Sequence, residues 1–463
     1  MIHVQRSLAR QFRAVLRKSV LAGSARSSPC HVVFRAGTDG LRIQAQGPTA
    51  GLEYHDPGAH DSEVVAIPVH ALADFEGKGE GLVELSSDAN GSLASWKDGV
   101  VPRTRRYENV ALNDLPRMPT VPETMTELPP SFIEAMREAA ATASTSRVRY
   151  AVDCIQLRGH DGKIIATDGR HLLVQSGFPL PWPDLLVPAL PVFGCRDLPL
   201  DQPVQVGKSD NFLTMRMEPW TLHLAIDKDS RYPNVESIIP KASSTTIHLA
   251  QQDAEFLGKT LSSLPGNDEE YAPITLDVNG QVVVRARGEE QQQPTEVVLC
   301  HSTASGRAVR LTMNRRYLAR ALHLGFSEIR IGDPAMPVLC DSENRNYVWQ
   351  GLPTEGAVRE SPNALRILSD ETNPRVTEPK RERKRSPMAN DHAQANGVHE
   401  SDSKTNGSGI NALITEVETL KAQLRECYGR ANQIGVAIKR QRKQAQVVQS
   451  TLLQLRQLQQ VGA

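Results

Sequence analysis

The chain has 463 residues, which is enough for about three domains with cores of their own. Its 53 lysines and arginines balance 53 aspartates and glutamates. This balance excludes a protein that holds nucleic acid by bulk charge and leaves any such contact to local basic patches. Hydrophobic residues make up 39% and charged residues 23%, which is typical of a soluble globular protein.

Cysteine and hydropathy patterns exclude further classes. The six cysteines are scattered, and no pair has the short spacing of a zinc or redox site. We therefore expect lone buried thiols in a reducing cytoplasm, with no metal and no cofactor. The first residues show neither a long apolar core nor a small-residue cleavage site, which predicts that there is no signal peptide. No stretch approaches the roughly 18 apolar residues that a membrane helix needs.

A helix-like segment opens the chain. Leu8, Phe12, Val15 and Leu16 recur at helical spacing and define an apolar face. Four arginines fall at i, i+4, i+7 and i+11 and form a basic stripe on the opposite face. No acidic residue lies among them, so we expect all four to face water: they are Arg6, Arg10, Arg13 and Arg17.

One strand-like phrase recurs at a period of about 120 residues. It reads G-L-R-I-Q-A at 40–45, G-K-I-I-A-T at 162–167 and G-Q-V-V-V-R at 280–285. Glycine makes the turn, and the β-branched residues favour a strand. The repeat predicts three units of one fold.

Two further features keep the same period. The phrases at 67–72, 187–190 and 311–314 each end a strand and open a short helical stretch. Hairpins follow, for example at 82–96 around Asn90 and Gly91 and at 329–349 around Asp341 and Ser342. Helix-like segments at about 131–143 and 253–264 open the second and third units. We interpret each unit as α+β, with helices packed on one side of antiparallel sheets.

The composition changes after residue 354. Residues 355–408 are rich in Ser, Asn, Pro, Glu, Lys and Arg and include a basic run at 380–385. Such a segment buries too little apolar surface to offset its ordering entropy, so we predict a disordered linker, either solvated or touching phosphates. A heptad pattern over 410–455 then predicts a coiled coil at 409–460, with Gln441 as the polar exception in its seam. Its order and partner stay open.

Several phrases resemble the bacterial DNA sliding clamps, the beta subunits of DNA polymerase III. Residues 165–172 read I-A-T-D-G-R-H-L, similar to the A-T-D-G-H-R-L segment of that family. Residues 230–240 read S-R-Y-P-N-V-E-S-I-I-P, similar to its G-R-F-P-D-Y-x-x-V-I-P segment. The V-R-Y at 148–150, the helix from Asn314 to Leu322 and the ending Y-V-W-Q-G-L-P at 347–353 also resemble the family.

The resemblance implies a noncatalytic ring of two copies around duplex DNA, closed between the first domain of one copy and the third of the other. The implied clamp domains are 1–120, 121–242 and 243–354. Helices would line the hole and touch phosphates weakly, without base contacts. The residues expected to contact DNA are Arg6, Arg10, Arg13, Arg17, Arg26, Arg147, Arg316 and Arg320.

The family also implies a pocket between the second and third domains for short peptides of DNA polymerase III, the clamp loader and repair proteins. Three departures bear on it: the order Arg170–His171 is reversed relative to the family, Ser237 replaces a basic residue, and 350–353 read Q-G-L-P. The positions carried over are Val152, Thr167, Gly169, Arg170, His171, Leu172, Pro233, Ile238, Asn314, Tyr317, Val338, Val348 and Leu352.

Two other classes of protein compete with the clamp interpretation. An enzyme would have to use Asp168 with His171, or Asp153 with His160, as an acid–base pair. No nucleophile motif, metal spacing or phosphate loop accompanies them, so no catalytic residue is assigned. A clamp-like paralogue that acts as a coiled-coil scaffold for protein contacts is the alternative function. The clamp interpretation implies a cytoplasmic, nucleoid-associated protein.

Overall fold

Each of the three sequence units contains two four-stranded antiparallel sheets with short helices packed against them, and the third unit adds one further strand to each of its sheets. The computed structural model describes residues 1–22, 30–108, 110–147 and 149–370. The linker residues 371–408 and the predicted coiled coil at 409–460 lie outside these ranges.

The first unit contains α1 (Arg6–Lys18), α2 (Leu72–Phe75), β1 (Ile2–Gln5), β2 (His31–Gly37), β3 (Gly40–Gln46), β4 (Ala50–Asp56), β5 (Glu63–Pro68), β6 (Leu82–Asp88), β7 (Gly91–Asp98) and β8 (Val101–Tyr107). The second contains α3 (Pro130–Thr142), β9 (Thr126–Leu128), β10 (Cys154–Arg158), β11 (Lys163–Thr167), β12 (His171–Gln175), β13 (Leu185–Pro188), β14 (Val204–Lys208), β15 (Phe212–Met217) and β16 (Trp220–Ala225). The third contains α4 (Gln251–Thr260), α5 (Arg315–His323), β17 (Thr245–His248), β18 (Pro273–Val278), β19 (Val282–Ala286), β20 (Thr295–Leu299), β21 (Thr303–Gly306), β22 (Val309–Asn314), β23 (Glu328–Ile331), β24 (Val338–Ser342), β25 (Arg345–Trp349) and, after the repeat, β26 (Leu365–Leu368).

The strand order repeats from unit to unit. One sheet runs β1-β6-β7-β8, β9-β14-β15-β16 or β17-β23-β24-β25. The other runs β5-β2-β3-β4, β13-β10-β11-β12 or β22-β18-β19-β20. The repeated phrases found in the sequence supply β3, β11 and β19, so the prediction of three α+β units is confirmed.

The units are joined edge to edge. Strand β4 pairs antiparallel with β16, from Ala50 opposite Leu224 to Tyr54 opposite Trp220. Strand β12 pairs antiparallel with β25, from His171 opposite Trp349 to Gln175 opposite Arg345. The two joints therefore extend the backbone ladders without interruption into sheets of eight and nine strands.

The helices form where apolar residues recur at helical spacing. Helix α1 buries Leu8, Phe12, Val15 and Leu16 as the sequence predicts, and each such side chain contributes about 1.5–3 kcal/mol through burial. Helix α3 starts with Pro130, whose fixed φ suits the first helical position. Helix α5 is capped by the side chain of Asn314, which accepts a hydrogen bond from the amide of Arg316.

One predicted hairpin needs a small correction. The sequence places the turn of the 329–349 hairpin at Asp341 and Ser342, whereas both residues still pair across the ladder, Ser342 opposite Arg345. The turn falls at Glu343 and Asn344, where the Asn344 carbonyl accepts a hydrogen bond of 2.8 Å from the Ser176 amide. This contact from the second unit fixes the turn two residues later than turn propensity suggests.

The predicted boundary at residue 354 also needs correction. Residues 355–370 were assigned to the linker, yet the chain continues into strand β26, which pairs parallel with β20. Leu365, Ile367 and Leu368 provide a short apolar patch that the average composition of the segment conceals. Ile367 packs against the core of the third unit, and this burial together with the ladder orders the segment.

Candidate functional site

The basic face of α1 divides into two engaged and two exposed arginines. Arg6 donates hydrogen bonds to the carbonyl oxygens of Phe75 (2.8 Å), Lys97 (2.7 Å) and Glu76 (3.4 Å). Its side chain is 16% exposed. The expectation that Arg6 faces water is therefore wrong, because its guanidinium satisfies carbonyl groups at the ends of α2 and β7.

Arg13 is also engaged. Its Nη1 lies 2.6 Å from Oε1 of Glu76, a residue 63 positions away that a helix-by-helix reading of charge does not bring near. Arg10 and Arg17 are exposed, and neither has an acidic partner within the described residues. No acidic residue lies within the stripe in sequence, but the fold brings Glu76 next to it.

The other predicted DNA contacts differ in availability. Arg147 is held by Asp153 at 2.7 Å and Asp227 at 2.6 Å. Arg320 donates to the Glu138 carbonyl at 3.0 Å, and burial lowers the pKa of its guanidinium. Arg316 is exposed on the first turn of α5. Arg26 lies outside the described residues.

One further arginine, Arg315, was not identified from the sequence. Arg315 is 1% exposed, and its guanidinium donates to five backbone carbonyls between 261 and 273, among them Leu264 at 2.6 Å and Ala272 at 3.1 Å. It thereby fixes the loop before β18. Leu318, three residues later and buried on the same face of α5, is the signal that could have identified Arg315 as the inward member of the Arg315–Arg316 pair.

A polar cleft of about 670 Å³ lies between the second and third units. It is lined by Arg170, His171, Asn314 and Tyr317 from the predicted pocket, and Asp168, which was not predicted there, lines it as well. The rings of His171 and Tyr317 stack with centroids 4.8 Å apart. His171 Nδ1 lies 2.8 Å from the Tyr347 hydroxyl, and its Nε2 lies 3.5 Å from Oδ2 of Asp168.

One side of this cleft is acidic. Asp268, Glu269 and Glu270 line it, although the sequence analysis did not single them out. Burial lowers the pKa of His171, an effect that Asp168 opposes. The Arg170 guanidinium lies 5.0 Å from the centre of the Tyr271 ring, a cation–π distance. The three consecutive acidic residues are visible in the sequence. Assigning them to the cleft would have required knowing that their loop faces α5.

The A-T-D-G motif builds the turn that presents these side chains. Asp168 Oδ1 accepts hydrogen bonds from the amides of Arg170 (2.8 Å) and His171 (2.9 Å). Thr167 Oγ1 accepts from the Gly169 amide at 3.0 Å and donates to the His171 carbonyl at 2.6 Å. Gly169 has φ +89°, a conformation that favours glycine.

Three of the apolar residues predicted for the pocket are covered, whereas Val152, Pro233, Ile238 and Leu352 are partly or fully exposed. Leu172 and Val348 are 1% and 2% exposed, because they cluster with Val235, Tyr232 and Ile239 of the loop after β16. Val338 lies fully buried in the core of the third unit. Neighbouring strand residues point to opposite faces, so His171 and Leu172 serve different surfaces. These three residues are corrected from pocket wall to buried packing.

The remaining predicted residues lie at separate places. Ile238 is 45% exposed in the same loop as Pro233. Val152, half-buried, accepts at its carbonyl a hydrogen bond of 2.8 Å from Ser144, a residue of the polar cleft. Leu352 lines a second cleft of about 810 Å³, which also contains Tyr271. Tyr271 borders both clefts, so the predicted set is spread over two clefts and one apolar loop.

Other chemistry is sparse in the described part of the chain. Its residues contain no group of three or more His, Cys, Asp or Glu placed to hold a metal ion. Five cysteines carry free thiols, and burial raises the pKa of Cys30 to about 11 and of Cys154 to about 12. Over the same ranges, no helix has the length and apolar character needed to traverse a bilayer.

Two comparisons found nothing similar: no protein-family model matches the chain, and no curated protein matches it. Solved structures do match. The DNA polymerase III subunit beta from Pseudomonas aeruginosa superposes with a TM-score of 0.63 at 18% identity, covering 76% of this chain and 99% of that one. The sliding clamp from Bacillus subtilis gives 0.64 at 15% identity, with 76% and 98% covered.

A third example is the beta sliding clamp from C. crescentus, with a TM-score of 0.63, 18% identity, and 76% and 98% of the two chains covered. The described body thus belongs to the class of three-unit, joined-sheet proteins, and its fold is that of the DNA polymerase III beta sliding clamps. The low identity is that of a divergent clamp fold.

Proposed function

We propose that this chain is a DNA sliding clamp, a noncatalytic processivity factor that encircles duplex DNA and tethers polymerase and repair proteins. The observation that carries the proposal is the repeated joint. Two joints of identical design connect the three units, and the same design leaves β20 of one copy and β8 of another as the matching strands of a third joint. Two copies joined in this way form a closed ring.

The DNA-facing surface would consist of the arginines that remain available. Arg10, Arg17 and Arg316 are exposed and are free to contact phosphates weakly, as a sliding ring requires. Arg147 and Arg320 would contribute charge from within their networks. Arg6 and Arg13 would act mainly by holding α1 to α2 and the β7 end.

The polar cleft would be the partner site. His171, Tyr317 and Arg170 offer stacking and hydrogen bonds, and Asp268, Glu269 and Glu270 favour a peptide that carries a basic residue. Peptides of the DNA polymerase III catalytic subunit and of the clamp loader are the proposed partners. Because Leu172, Val338 and Val348 are covered, Ile238 and Leu352 would supply the apolar contacts.

Retention on circular DNA tests the proposal. The full chain is loaded with a clamp loader onto nicked circular plasmid, which is then linearised while bound protein is followed by gel filtration. We expect survival on the circle at high salt and loss after linearisation, because salt screens phosphate contacts but not topology. Loss from the circle at high salt by a chain shown to be a closed dimer would contradict the proposal.

Matched arginine variants identify the DNA surface. The double substitution Arg10→Ala with Arg17→Ala should leave the urea denaturation midpoint unchanged and shorten retention several-fold, since both residues are exposed. Arg6→Ala should instead lower stability by about 1 kcal/mol, because it leaves the partly buried carbonyls of Phe75 and Glu76 without their donor. Equal effects of both variants on stability would show that the division of the stripe is incorrect.

The scaffold remains the second candidate. The covered β20 edge and the engaged Arg6 and Arg13 favour it, because a scaffold needs neither ring closure nor a basic face. A scaffold would show no salt-resistant binding to the circle. Cytoplasmic, nucleoid-associated localisation is part of the clamp proposal alone.

A further inference from the structure

The repeat defines what should lie beside β20. In the first unit β4 pairs with β16, and in the second β12 pairs with β25, each partner being the last strand of the following unit's other sheet. Strand β20 is the third member of the series β4, β12, β20. Its matching partner is β8, the last strand of that sheet in the first unit, which therefore has to come from another copy.

The β20 edge is instead occupied by the chain itself. Strand β26 pairs with it in parallel, from Thr295 opposite Leu365 to Val298 opposite Leu368. The amide of Leu365 donates to the Pro294 carbonyl at 3.0 Å, and the amide of Ser369 donates to Val298 at 3.1 Å. A strand edge has one row of donors and acceptors. Strand β26 and the β8 strand of a second copy therefore cannot pair with the β20 edge at the same time.

Side chains make β26 a specific occupant. Arg366 Nε lies 3.1 Å from Oε2 of Glu296, whose other oxygen is bonded to Arg285 at 2.6 Å. Glu296 is 1% exposed, so Arg366 supplies the partner of a buried carboxylate oxygen that Arg285 does not reach. Ser369 Oγ donates to Asp253, a fully buried residue of α4, and accepts from the Cys300 amide at 2.9 Å.

Strand β8 carries the same chemistry. It contains Arg103, Arg105 and Arg106 and no acidic residue, and its first six residues are exposed. In the described part of the chain it has a partner strand, β7, on one side alone. Arg105 and Arg106 are already paired with Asp74 at 2.7 Å and Asp88 at 2.6 Å, so Arg103 is the β8 arginine that is available to meet Glu296 as Arg366 does.

We infer that β26 is an autoinhibitory strand that competes with the β8 strand of a second copy for the β20 edge, so that the two copies join only after β26 leaves. The inference rests on the ring proposed above. It makes the segment from 357 to 370 a latch: release exposes β20, and recapture of the edge opens the joint. Any partner that binds this segment would promote closure by the free energy of that binding.

Two opposite changes in the full chain test the latch. Arg366→Glu places a second carboxylate against Glu296 and should release β26, whereas the control Arg366→Lys keeps a cation there. Cysteines at Val298 and Leu368, which are register partners within disulfide reach, should lock β26 when oxidised. The lock is built with Cys300→Ser, because the exposed Cys300 lies beside Ser369.

Hydrogen exchange of residues 101–107 is the readout, because β8 becomes protected when it joins another strand. Association through the predicted coiled coil would not protect β8, and it would be the same in all variants, so it does not affect this readout. We expect Arg366→Glu to lower the protein concentration for half protection of β8 about tenfold, and Arg366→Lys to leave it unchanged. The oxidised lock should show no concentration-dependent protection, and reduction should restore it.

The outcomes separate this inference from the proposed function. Identical β8 protection in the released, wild-type and locked chains would overturn the latch, as would no protection in any of them. Protection of β8 in Arg366→Glu combined with loss from circular plasmid would uphold the latch and contradict the DNA clamp. Longer retention of Arg366→Glu on the circle would support both.

Discussion

The two joints within the chain share one backbone design but differ in their side chains. The first pairs Tyr54 with Trp220 at the position where the second pairs Gln175 with Arg345. Trp220 stacks on Phe12 of α1 with ring centroids 6.0 Å apart and meets the edge of Tyr54 at 4.9 Å. Arg345 approaches Glu138 at 3.8 Å and the Phe326 ring at 5.3 Å.

This difference changes what each joint can do. The cores of the first and second units merge into one apolar cluster through the first joint, while the third unit has a core of its own. Clefts flank the second joint instead: the polar cleft at His171 and another of about 530 Å³ around Glu138, Asn344 and Arg345. A repeated contact is thus a continuous core at the first joint and is flanked by clefts at the second.

Truncating the side chains at equivalent positions of the two joints should give the largest difference in stability between them. Trp220→Ala removes a side chain that is 3% exposed and leaves a large cavity, so we expect a loss of about 3–5 kcal/mol. Arg345→Ala removes a half-buried ion pair and should cost less than about 1 kcal/mol. Urea denaturation followed by circular dichroism measures both, and similar losses would contradict a difference between the joints.

Acid should weaken the first joint in particular. His223 of β16 is 1% exposed and bonded to Thr214 at 2.9 Å, and burial lowers its pKa from 6.5 to about 4. Between these values the unfolded chain binds a proton that the folded chain does not. Stability from this group is therefore complete above pH 6.5 and lost as the pH falls towards 4, by about 3 kcal/mol.

The variant His223→Gln isolates this group. Because glutamine does not titrate, the slope of the urea midpoint between pH 6.5 and pH 4 should become shallower than in the wild type. His60→Gln, at an exposed site away from the joint, serves as the control and should keep the wild-type slope. An unchanged slope in His223→Gln would mean that this histidine is not the acid-sensitive group of the joint.

Sequence reasoning reached the parts of the molecule that depend on local pattern. Periodicity located α1, and repetition of one phrase located β3, β11 and β19. It did not predict the contacts of Arg6, because the carbonyls that Arg6 binds belong to residues about 70–90 positions away. It also missed β26, whose four residues gain order only from the edge that they cover. Local propensity cannot report such distant partners.

For the candidate site, the sequence supplied the residues but not their faces. His171 and Leu172 are adjacent in the motif, yet one enters the polar cleft and the other is covered by the 232–239 loop. That loop contacts a strand 67 positions earlier, through the hydrogen bond from the Tyr232 hydroxyl to the Ile165 carbonyl. Strand alternation predicts the separation in general, but which face stays open depends on loop packing that a single sequence does not specify.

Removing one hydroxyl at each joint gives the smallest and most specific test. Tyr347→Phe deletes the hydroxyl that lies 2.8 Å from His171 Nδ1, and burial of both rings makes the loss about 1 kcal/mol. Tyr54→Phe at the first joint removes a hydroxyl with no hydrogen-bond partner in the described residues and should cost almost nothing. The midpoint of urea denaturation gives both values, and the His171 NMR signals should shift in Tyr347→Phe alone. If the two variants cost the same, the second joint would not depend on its polar contacts, and the distinction between a packed joint and a polar joint flanked by clefts would fail.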